Sequence, residues 1–271
     1  MTAPAVPDDR PDGGGTRRPR HRAGAGIRLD GAVVLVTGAS RGIGAATCAA
    51  LAARGAVVVA AGRDMAALAG VPSASTVVAD AADPASADLL VETAVSRYGR
   101  LDAVVASAGL GHAGPVAEMT AGRIAELLDV NLRAPVLLAR AALPVLSRPG
   151  ALVLITSIAG LVGVPGETVY SVSKAGLETF AALLREELRG TGVTVSTVAP
   201  GAVATGFFAT RGVPYDRRVP RPIPPERVAA AVVAALTRGL PRQVEPRWLG
   251  LPARLSATAP GLYRALARRF G

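Results

Sequence analysis

The sequence predicts an α/β protein in which a parallel sheet is covered by helices on both faces. Short apolar runs alternate with longer helical stretches from Leu29 onward, and this rhythm is typical of repeated strand–helix–strand units. Half of the 271 residues are hydrophobic but only 3% are aromatic. The core is therefore expected to consist mainly of Ala, Val and Leu, a mixture that suits buried parallel strands and is large enough for one substantial domain.

Six apolar runs are predicted to be strands, and four longer stretches between them are predicted to be helices. The strands are 33–36, 57–59, 76–78, 103–105, 151–156 and 193–198, and the helices are 43–54, 84–98, 120–146 and 168–190. Residues 206–225 contain five prolines, so they cannot form one regular element. Because they follow the carboxyl end of a strand, where ligands bind in open parallel sheets, they are interpreted as a substrate lid, with an ordinary surface loop as the alternative.

The formal net charge of +10 raises the question of nucleic-acid binding. Arginines are concentrated in the first 28 residues and beyond residue 210, while the middle of the chain is nearly balanced. No zinc-ligand spacing, aromatic–basic RNA motif or helix-turn-helix pattern accompanies the charge, so specific nucleic-acid binding is not predicted. Residues 1–28 are rich in Pro, Gly, Asp and Arg and are predicted to be a disordered basic arm.

A cytoplasmic location is expected from two observations. Arg17 and Arg18 are not followed by an apolar segment or a small-residue cleavage site, and no apolar stretch has the length of a membrane span. Cys48 is the single cysteine of the chain, which excludes an internal disulfide and suits a reducing compartment.

A glycine-rich turn lies between the first predicted strand and the first predicted helix. It has the sequence TGASRGIG at residues 37–44, and its candidate cofactor contacts are Gly38, Ser40, Arg41, Gly42, Ile43 and Gly44. Glycines permit the tight turn and the close approach of a pyrophosphate, while the helix N-terminus supplies amide donors and a favourable dipole. The turn therefore predicts a dinucleotide site.

The charges around this turn favour NADP over NAD, although NAD is possible. The second strand ends at Gly62-Arg63, where an NAD-binding protein would usually carry a carboxylate for the ribose 2′-hydroxyl. Arg41 and Arg63 can instead pair with a 2′-phosphate. The alternative for Arg63 is an ordinary solvated arginine.

Lys174 is the only lysine of the chain, and it follows Tyr170 by four residues in the stretch YSVSK. Residues four apart on a helix share a face, so the ammonium group is expected to lie beside the phenol and to lower its pKa. A phenol tuned in this way can donate and accept a proton near neutral pH. Chance spacing of Tyr and Lys is the alternative.

In this order and spacing, TGASRGIG, Ser157 and YSVSK resemble the short-chain dehydrogenase/reductases over about residues 29–240. The resemblance implies a Rossmann-type, doubly wound parallel sheet of about seven strands and an NAD(P)-dependent oxidoreductase. It implies that Tyr170 is the general acid/base, that Lys174 also binds the nicotinamide ribose, and that Ser157 hydrogen-bonds the reacting oxygen. Asn131 would hold a water in a proton relay through Lys174. Taken singly, Ser157 could be structural and Asn131 a polar filler.

Further cofactor positions follow from the same resemblance. They are Asp80 at the adenine, Ala108 and Gly109 after the fourth strand, Tyr170 and Lys174 at the ribose, and Pro200, Gly201, Val203 and Thr205 at the nicotinamide. Asp80 could equally be a turn or cap residue. The family's NNAG appears here as Ala106-Ser107-Ala108-Gly109, a departure on the adenosine side in which Ser107 could keep one hydrogen bond. No metal site is predicted.

The sequence thus predicts an NADP-preferring enzyme that interconverts an alcohol and a carbonyl on an apolar or amphipathic small molecule. The alternative is a non-catalytic dinucleotide-binding regulator or scaffold, which would be expected to have lost Ser157, Tyr170 or Lys174. The resemblance also implies a homodimer or homotetramer. Residues 241–271 form a basic amphipathic extension, for which packing on protein is favoured over peripheral contact with a membrane.

Overall fold

Seven parallel strands form the centre of the fold, in the spatial order β3-β2-β1-β4-β5-β6-β7. We analysed a computed structural model, which describes residues 26–216 and 219–270. The strands are β1 (Val33–Thr37), β2 (Val57–Gly62), β3 (Ser75–Val78), β4 (Leu101–Ala106), β5 (Leu146–Ile155), β6 (Val193–Pro200) and β7 (Arg242–Glu245). Strands β1 and β4 are buried along their whole length, as central strands of a doubly covered sheet should be. The predicted fold class is confirmed.

Helices cover both faces of this sheet. They are α1 (Gly42–Ala52), α2 (Met65–Ala69), α3 (Ser86–Tyr98), α4 (Ala121–Leu128), α5 (Ala134–Ala142), α6 (Ile158–Val162), α7 (Thr168–Glu187), α8 (Phe207–Thr210), α9 (Pro225–Arg238), α10 (Gly250–Thr258) and α11 (Pro260–Phe270). One buried cluster joins α1 and α9 to the sheet, through residues such as Leu51 and Leu236. The other joins α3, α5 and α7 through Leu90, Leu138 and Leu177.

The predicted continuous helix over 120–146 is wrong. A π-helical turn at Asp129–Arg133 separates α4 from α5, α5 ends at Ala142, and β5 already begins at Leu146. Pro144 explains the end of α5, because proline has no N–H to continue the helical hydrogen bonds. The apolar periodicity of the sequence continues across the π-helical turn and past the end of α5, so it predicted one helix.

Both predicted boundaries of the catalytic domain need correction. Ile27 is buried and its N–H donates to the carbonyl oxygen of Leu236 at 2.8 Å, so the folded part begins before Leu29. The rest of the predicted basic arm, residues 1–25, lies outside the described residues. Residue 240 is too early as the other boundary, because Arg242–Glu245 is the seventh strand of the sheet. This strand has a single apolar residue, Val244, and so gave no apolar run.

None of the helices within residues 26–216 and 219–270 is long and apolar enough to cross a membrane.

Candidate active site

A cavity of about 550 Å³ opens at the carboxyl ends of the strands. The glycine-rich turn lines it, and so do Ser157, Tyr170 and Lys174. Of the predicted site residues, all but Asn131 line this cavity; the cofactor positions among them are Gly38, Ser40, Arg41, Gly42, Ile43, Gly44, Arg63, Asp80, Ala108, Gly109, Pro200, Gly201, Val203 and Thr205. A single space therefore connects the predicted dinucleotide and substrate positions.

The glycine-rich turn has a shape that only glycines allow. Gly38 has φ +63°, and a Cβ there would lie 2.7 Å from the Cα of Ala108. A Cβ on Gly44 would lie 2.1 Å from the carbonyl oxygen of Gly38. Helix α1 begins after Arg41, whose side chain makes no capping hydrogen bond. The backbone amides of its first turn can therefore serve an anionic ligand, as a pyrophosphate site requires.

Thr37 is a site residue that the sequence interpretation missed. Its Oγ1 accepts hydrogen bonds from the N–H groups of Ser107 at 3.2 Å and Ala108 at 3.4 Å. This hydroxyl joins the end of β1 to the segment that replaces the family's asparagine-rich motif. The hydrogen bond expected from Ser107 on the adenosine side stays a prediction. The threonine that opens TGASRGIG was the available signal.

Where the adenosine is predicted to bind, Arg63 and Asp80 face each other. A nitrogen of Arg63 lies 3.9 Å from Oδ2 of Asp80, and both side chains are about half exposed. The other carboxylate oxygen of Asp80 accepts from the N–H of Ala82 at 3.0 Å, so the turn role for Asp80 is observed. Exposed ion pairs contribute little to stability. Arg63 can therefore leave Asp80 and pair with a 2′-phosphate.

Tyr170 and Lys174 lie one turn apart on α7, and both are buried. The Lys174 Nζ donates to the carbonyl oxygen of Ile155, the last residue of β5, at 3.0 Å. Ser157 and Tyr170 both line the cavity, and the Ser157 side chain is near enough to lower the pKa of the phenol. The Ser157 Oγ accepts from the N–H of Ala159 at the start of α6. The end of β5 thus brings the serine to the tyrosine across the cavity.

The expectation that Lys174 lowers the pKa of Tyr170 is wrong for this structure. Burial is the largest influence and raises the pKa of Tyr170 to about 12. The Ser157 side chain and the charge of Arg211 lower this pKa, and the charge of Glu167 raises it. Burial lowers the pKa of Lys174 to about 8. At neutral pH the Tyr170 phenol therefore carries its proton. Keeping Lys174 charged while it is buried lowers the free energy of unfolding.

Asn131 lies in the π-helical turn and is fully buried. Its Oδ1 accepts from the N–H of Leu110 at 2.8 Å, and its Nδ2 donates to the carbonyl oxygen of Leu110 at 2.9 Å and to Oγ of Ser173 at 3.2 Å. A Cβ on Gly109 would lie 3.4 Å from this Oδ1 and 3.5 Å from the Lys174 Nζ. Asn131 is therefore not a mere filler: it holds the loop next to Lys174 from behind the cavity wall.

Glu178 was also missed. It is buried on α7, four residues after Lys174, and its carboxylate accepts from Oγ1 of Thr156 at 2.6 Å and from Arg242 at 2.9 Å. Thr156 directly precedes Ser157, so this carboxylate fixes the end of β5 against α7. The spacing of Tyr170, Lys174 and Glu178 at steps of four was the signal in the sequence.

The segment after β6 is supported by the C-terminal part of the chain. The Gly201 N–H donates to the carbonyl oxygen of Glu245 at 2.7 Å, and a Cβ on Gly201 would lie 2.5 Å from Cδ1 of Leu249. Val203 pairs with Ile223 in a short parallel bridge. Thr205 Oγ1 accepts from the N–H of Phe207 at 3.3 Å. Residues beyond 240 therefore help to shape the predicted nicotinamide end.

The lid segment, residues 206–225, contributes α8 and several residues to the cavity wall, with residues 217 and 218 outside the described part. Arg211 is buried in this segment and forms an ion pair with Glu167, which is also largely buried. Its Nε donates to the carbonyl oxygen of Val213 at 2.8 Å. The lid segment is thus attached to the residues that immediately precede Tyr170.

Comparison with known proteins shows the family to which this chain belongs. Residues 32–214 match the family model described as short chain dehydrogenase. A versicolorin reductase from Emericella nidulans is 39% identical over 191 residues, which cover 67% of this chain and 72% of that protein. An uncharacterized oxidoreductase from Staphylococcus aureus is 35% identical over 214 residues, 76% of this chain and 91% of that protein. The chain belongs to the short-chain dehydrogenase/reductase family and is an NAD(P)-dependent oxidoreductase.

Solved structures extend the same comparison. A short chain dehydrogenase from Burkholderia cenocepacia in complex with NADP has a TM-score of 0.71 and 30% identity, covering 80% of this chain and 97% of that one. A short chain dehydrogenase/reductase from Burkholderia phymatum in complex with NAD has a TM-score of 0.77 at 22% identity, covering 87% and 96%. At that identity the second likeness bears on the fold alone.

Proposed function

We propose that this enzyme prefers NADP and interconverts an alcohol and a carbonyl, with Tyr170 as the acid/base. One observation carries the proposal: Ser157, Tyr170 and Lys174 line the same cavity as the glycine-rich turn. Two hydroxyl groups at one point can both bind the oxygen of a carbonyl or an alcohol. The nicotinamide, when bound, supplies or accepts the hydride.

The residues of this chain have separate tasks in that reaction. In the direction of reduction, the Ser157 hydroxyl orients the substrate oxygen while the Tyr170 phenol donates its proton to it. The high pKa of Tyr170 keeps that proton in place near neutral pH. Lys174 lines the same cavity, and its ammonium group donates a hydrogen bond to the carbonyl oxygen of Ile155. Asn131 positions the adjacent loop.

The preference for NADP rests on charge. Arg41 is exposed in the glycine-rich turn, Arg63 follows β2, and no carboxylate precedes Asp64 there. The Burkholderia cenocepacia protein, which was solved with NADP, is consistent with this preference. The alternative that Arg63 is an ordinary solvated arginine is a reason to measure both cofactors.

The proposal also includes the class of substrate, the oligomeric state and the location of the enzyme. Phe207 and Phe208 line the cavity, which supports an apolar or amphipathic substrate.

Val172 and Leu183 leave an exposed apolar stripe on α7, which supports a homodimer or homotetramer. We retain a cytoplasmic location as a prediction from the sequence, and packing of the C-terminal extension on protein rather than on a membrane.

The test is a panel of ketones and secondary alcohols assayed with NADPH, NADH and their oxidised forms by nicotinamide absorbance. Tyr170→Phe removes the transferable proton and should lower turnover by about 10²–10⁴-fold while NADPH fluorescence still reports binding. Tyr98→Phe, a change of the same kind on α3, is the control and should retain turnover. A Tyr170→Phe enzyme with wild-type turnover contradicts the assignment, and NADPH binding without turnover on any substrate favours the regulator.

A further inference from the structure

Aromatic side chains are concentrated at one place in a chain that has few of them. The sequence contains four Phe, four Tyr and one Trp, and four of these nine residues line the cavity: Tyr170, Phe207, Phe208 and Tyr215. Both buried clusters are instead built almost entirely from Ala, Val, Leu and Ile. The aromatic rings therefore belong to the site more than to the core.

These four rings form a continuous series that begins at the proposed acid/base. The centroids of Tyr170 and Phe207 are 5.6 Å apart, those of Phe207 and Phe208 are 5.6 Å apart, and those of Phe208 and Tyr215 are 4.6 Å apart. Such separations lie in the range in which aromatic rings attract one another. The series runs from the reacting position to the lid segment.

The three rings of the lid segment are held in place but not fully covered. A Cβ on Gly111 would lie 2.6 Å from Cζ of Phe207, so the ring rests directly on the backbone there. The guanidinium carbon of Arg211 lies 4.9 Å from the centroid of Phe208 and 5.9 Å from that of Tyr215. All three rings are only half-buried, so part of their surface faces the cavity.

We propose that the substrate carries its carbonyl or alcohol group on a planar, aromatic or conjugated ring system. An aliphatic substrate would gain only the area it buries against these rings. A planar ring gains a further attraction of about 0.5–1.5 kcal/mol for each aromatic neighbour. This inference rests on the proposed function, since it uses the position of Tyr170 to place the reacting group.

The test compares the binding of two hydroxyl compounds with the same ring connectivity, the phenol 2-naphthol and the secondary alcohol decahydro-2-naphthol, of which only the first is planar. Calorimetry first measures the binding of NADP, and then titrates each compound into the NADP-loaded protein. We expect 2-naphthol to bind at least about fivefold more tightly, which corresponds to about 1 kcal/mol. The saturated rings present at least as much apolar surface, so burial of apolar area alone predicts no advantage for 2-naphthol.

Phe208→Leu keeps an apolar side chain but removes one of the rings, and should lower the preference for 2-naphthol by about two- to tenfold. Phe180→Leu on α7, which does not line the cavity, should leave the preference unchanged. Equal or weaker binding of 2-naphthol by the wild type, or no binding of either compound, overturns the inference. Failure of NADP itself to bind would instead count against the proposed function.

Discussion

Glu167 and Arg211 form a buried ion pair between the start of α7 and the lid segment. Removing one partner leaves an unpaired buried charge, a loss of about 3–5 kcal/mol in the free energy of unfolding. We therefore expect Glu167→Gln and Arg211→Met each to be destabilising in urea unfolding. The double variant should lose less than the two single losses added together.

The same pair should affect the reaction through the position of Phe207 next to Tyr170. Both single variants should raise KM more than they lower kcat, because they displace the cavity wall and leave the acid/base in place. A pair on the surface gives the control: Arg140→Met removes an exposed contact with Asp88 and should change neither property measurably. Additive losses in the double variant would show that the pair is not coupled.

Arg41 and Arg63 are expected to decide the cofactor preference. Replacing both with Ala should weaken NADPH by about 10- to 100-fold, since a hydrogen bond to a charged group contributes about 1.5–3 kcal/mol. NADH, which lacks the 2′-phosphate, should be little affected. Fluorescence titration of both cofactors measures this, and Arg97→Ala on α3 controls for the loss of surface charge. An equal loss for both cofactors would refute the assignment.

Lys174 should lower the stability of the protein near neutral pH. Its folded-state pKa of about 8 lies below the ordinary value of about 10.4. Between these values the unfolded chain binds more protons, so the free energy of unfolding rises with pH through this window because of Lys174. Below about pH 8 the full cost, on the order of 3 kcal/mol, is present.

Lys174→Met removes this cost together with activity. Relative to the wild type, its free energy of unfolding should be most favourable at or below pH 8, and the advantage should shrink towards pH 10.5. The lost hydrogen bond to Ile155 shifts the difference by a constant and leaves its pH dependence unchanged. Urea unfolding at several pH values gives the comparison. A difference that does not vary with pH would show that the lysine is not buried as a cation.

The fold class and the placement of the two motifs could be predicted from the sequence because both depend on local patterns. Alternating apolar runs indicated the parallel sheet, and the residues of TGASRGIG and YSVSK fall on the strand end, turn and helix that their spacing predicted. The interruption between α4 and α5 was missed because a π-helical turn preserves the apolar periodicity on either side. Strand β7 was missed because an edge strand needs few apolar residues.

Contacts between distant segments could not be predicted in the same way. Thr37 and Ser107 meet only because β1 and β4 are neighbours in the sheet, and Arg211 reaches Glu167 only after the lid segment folds over α7. The pKa of Tyr170 was misjudged for a related reason. Its spacing from Lys174 was visible, but the burial that raises it depends on the whole fold.

The exposed stripe on α7 predicts self-association. Val172 and Leu183 are 57% and 61% exposed, and their spacing of eleven residues places them on the same side of the helix. Light scattering at micromolar concentration should give a multiple of 27.3 kDa for the wild type. Leu183→Glu should reduce it, whereas Leu89→Glu, at a leucine on α3 that is 49% exposed, should not. A single species of monomer mass in the wild type would reject the oligomer.

The C-terminal extension is expected to pack on protein. Helix α10 already contacts α6, which follows Ser157, whereas Leu262 and Leu266 on α11 are 55% and 41% exposed within one chain. A partner subunit or an anionic bilayer could cover them, and apolar helical stripes usually face protein. Leu262→Ser/Leu266→Ser should therefore co-sediment with anionic liposomes to the same extent as the wild type at physiological salt. Both proteins should lack residues 1–25, because a basic arm could bind such liposomes by itself and mask the difference. A clear loss of sedimentation in the double variant would establish membrane contact instead.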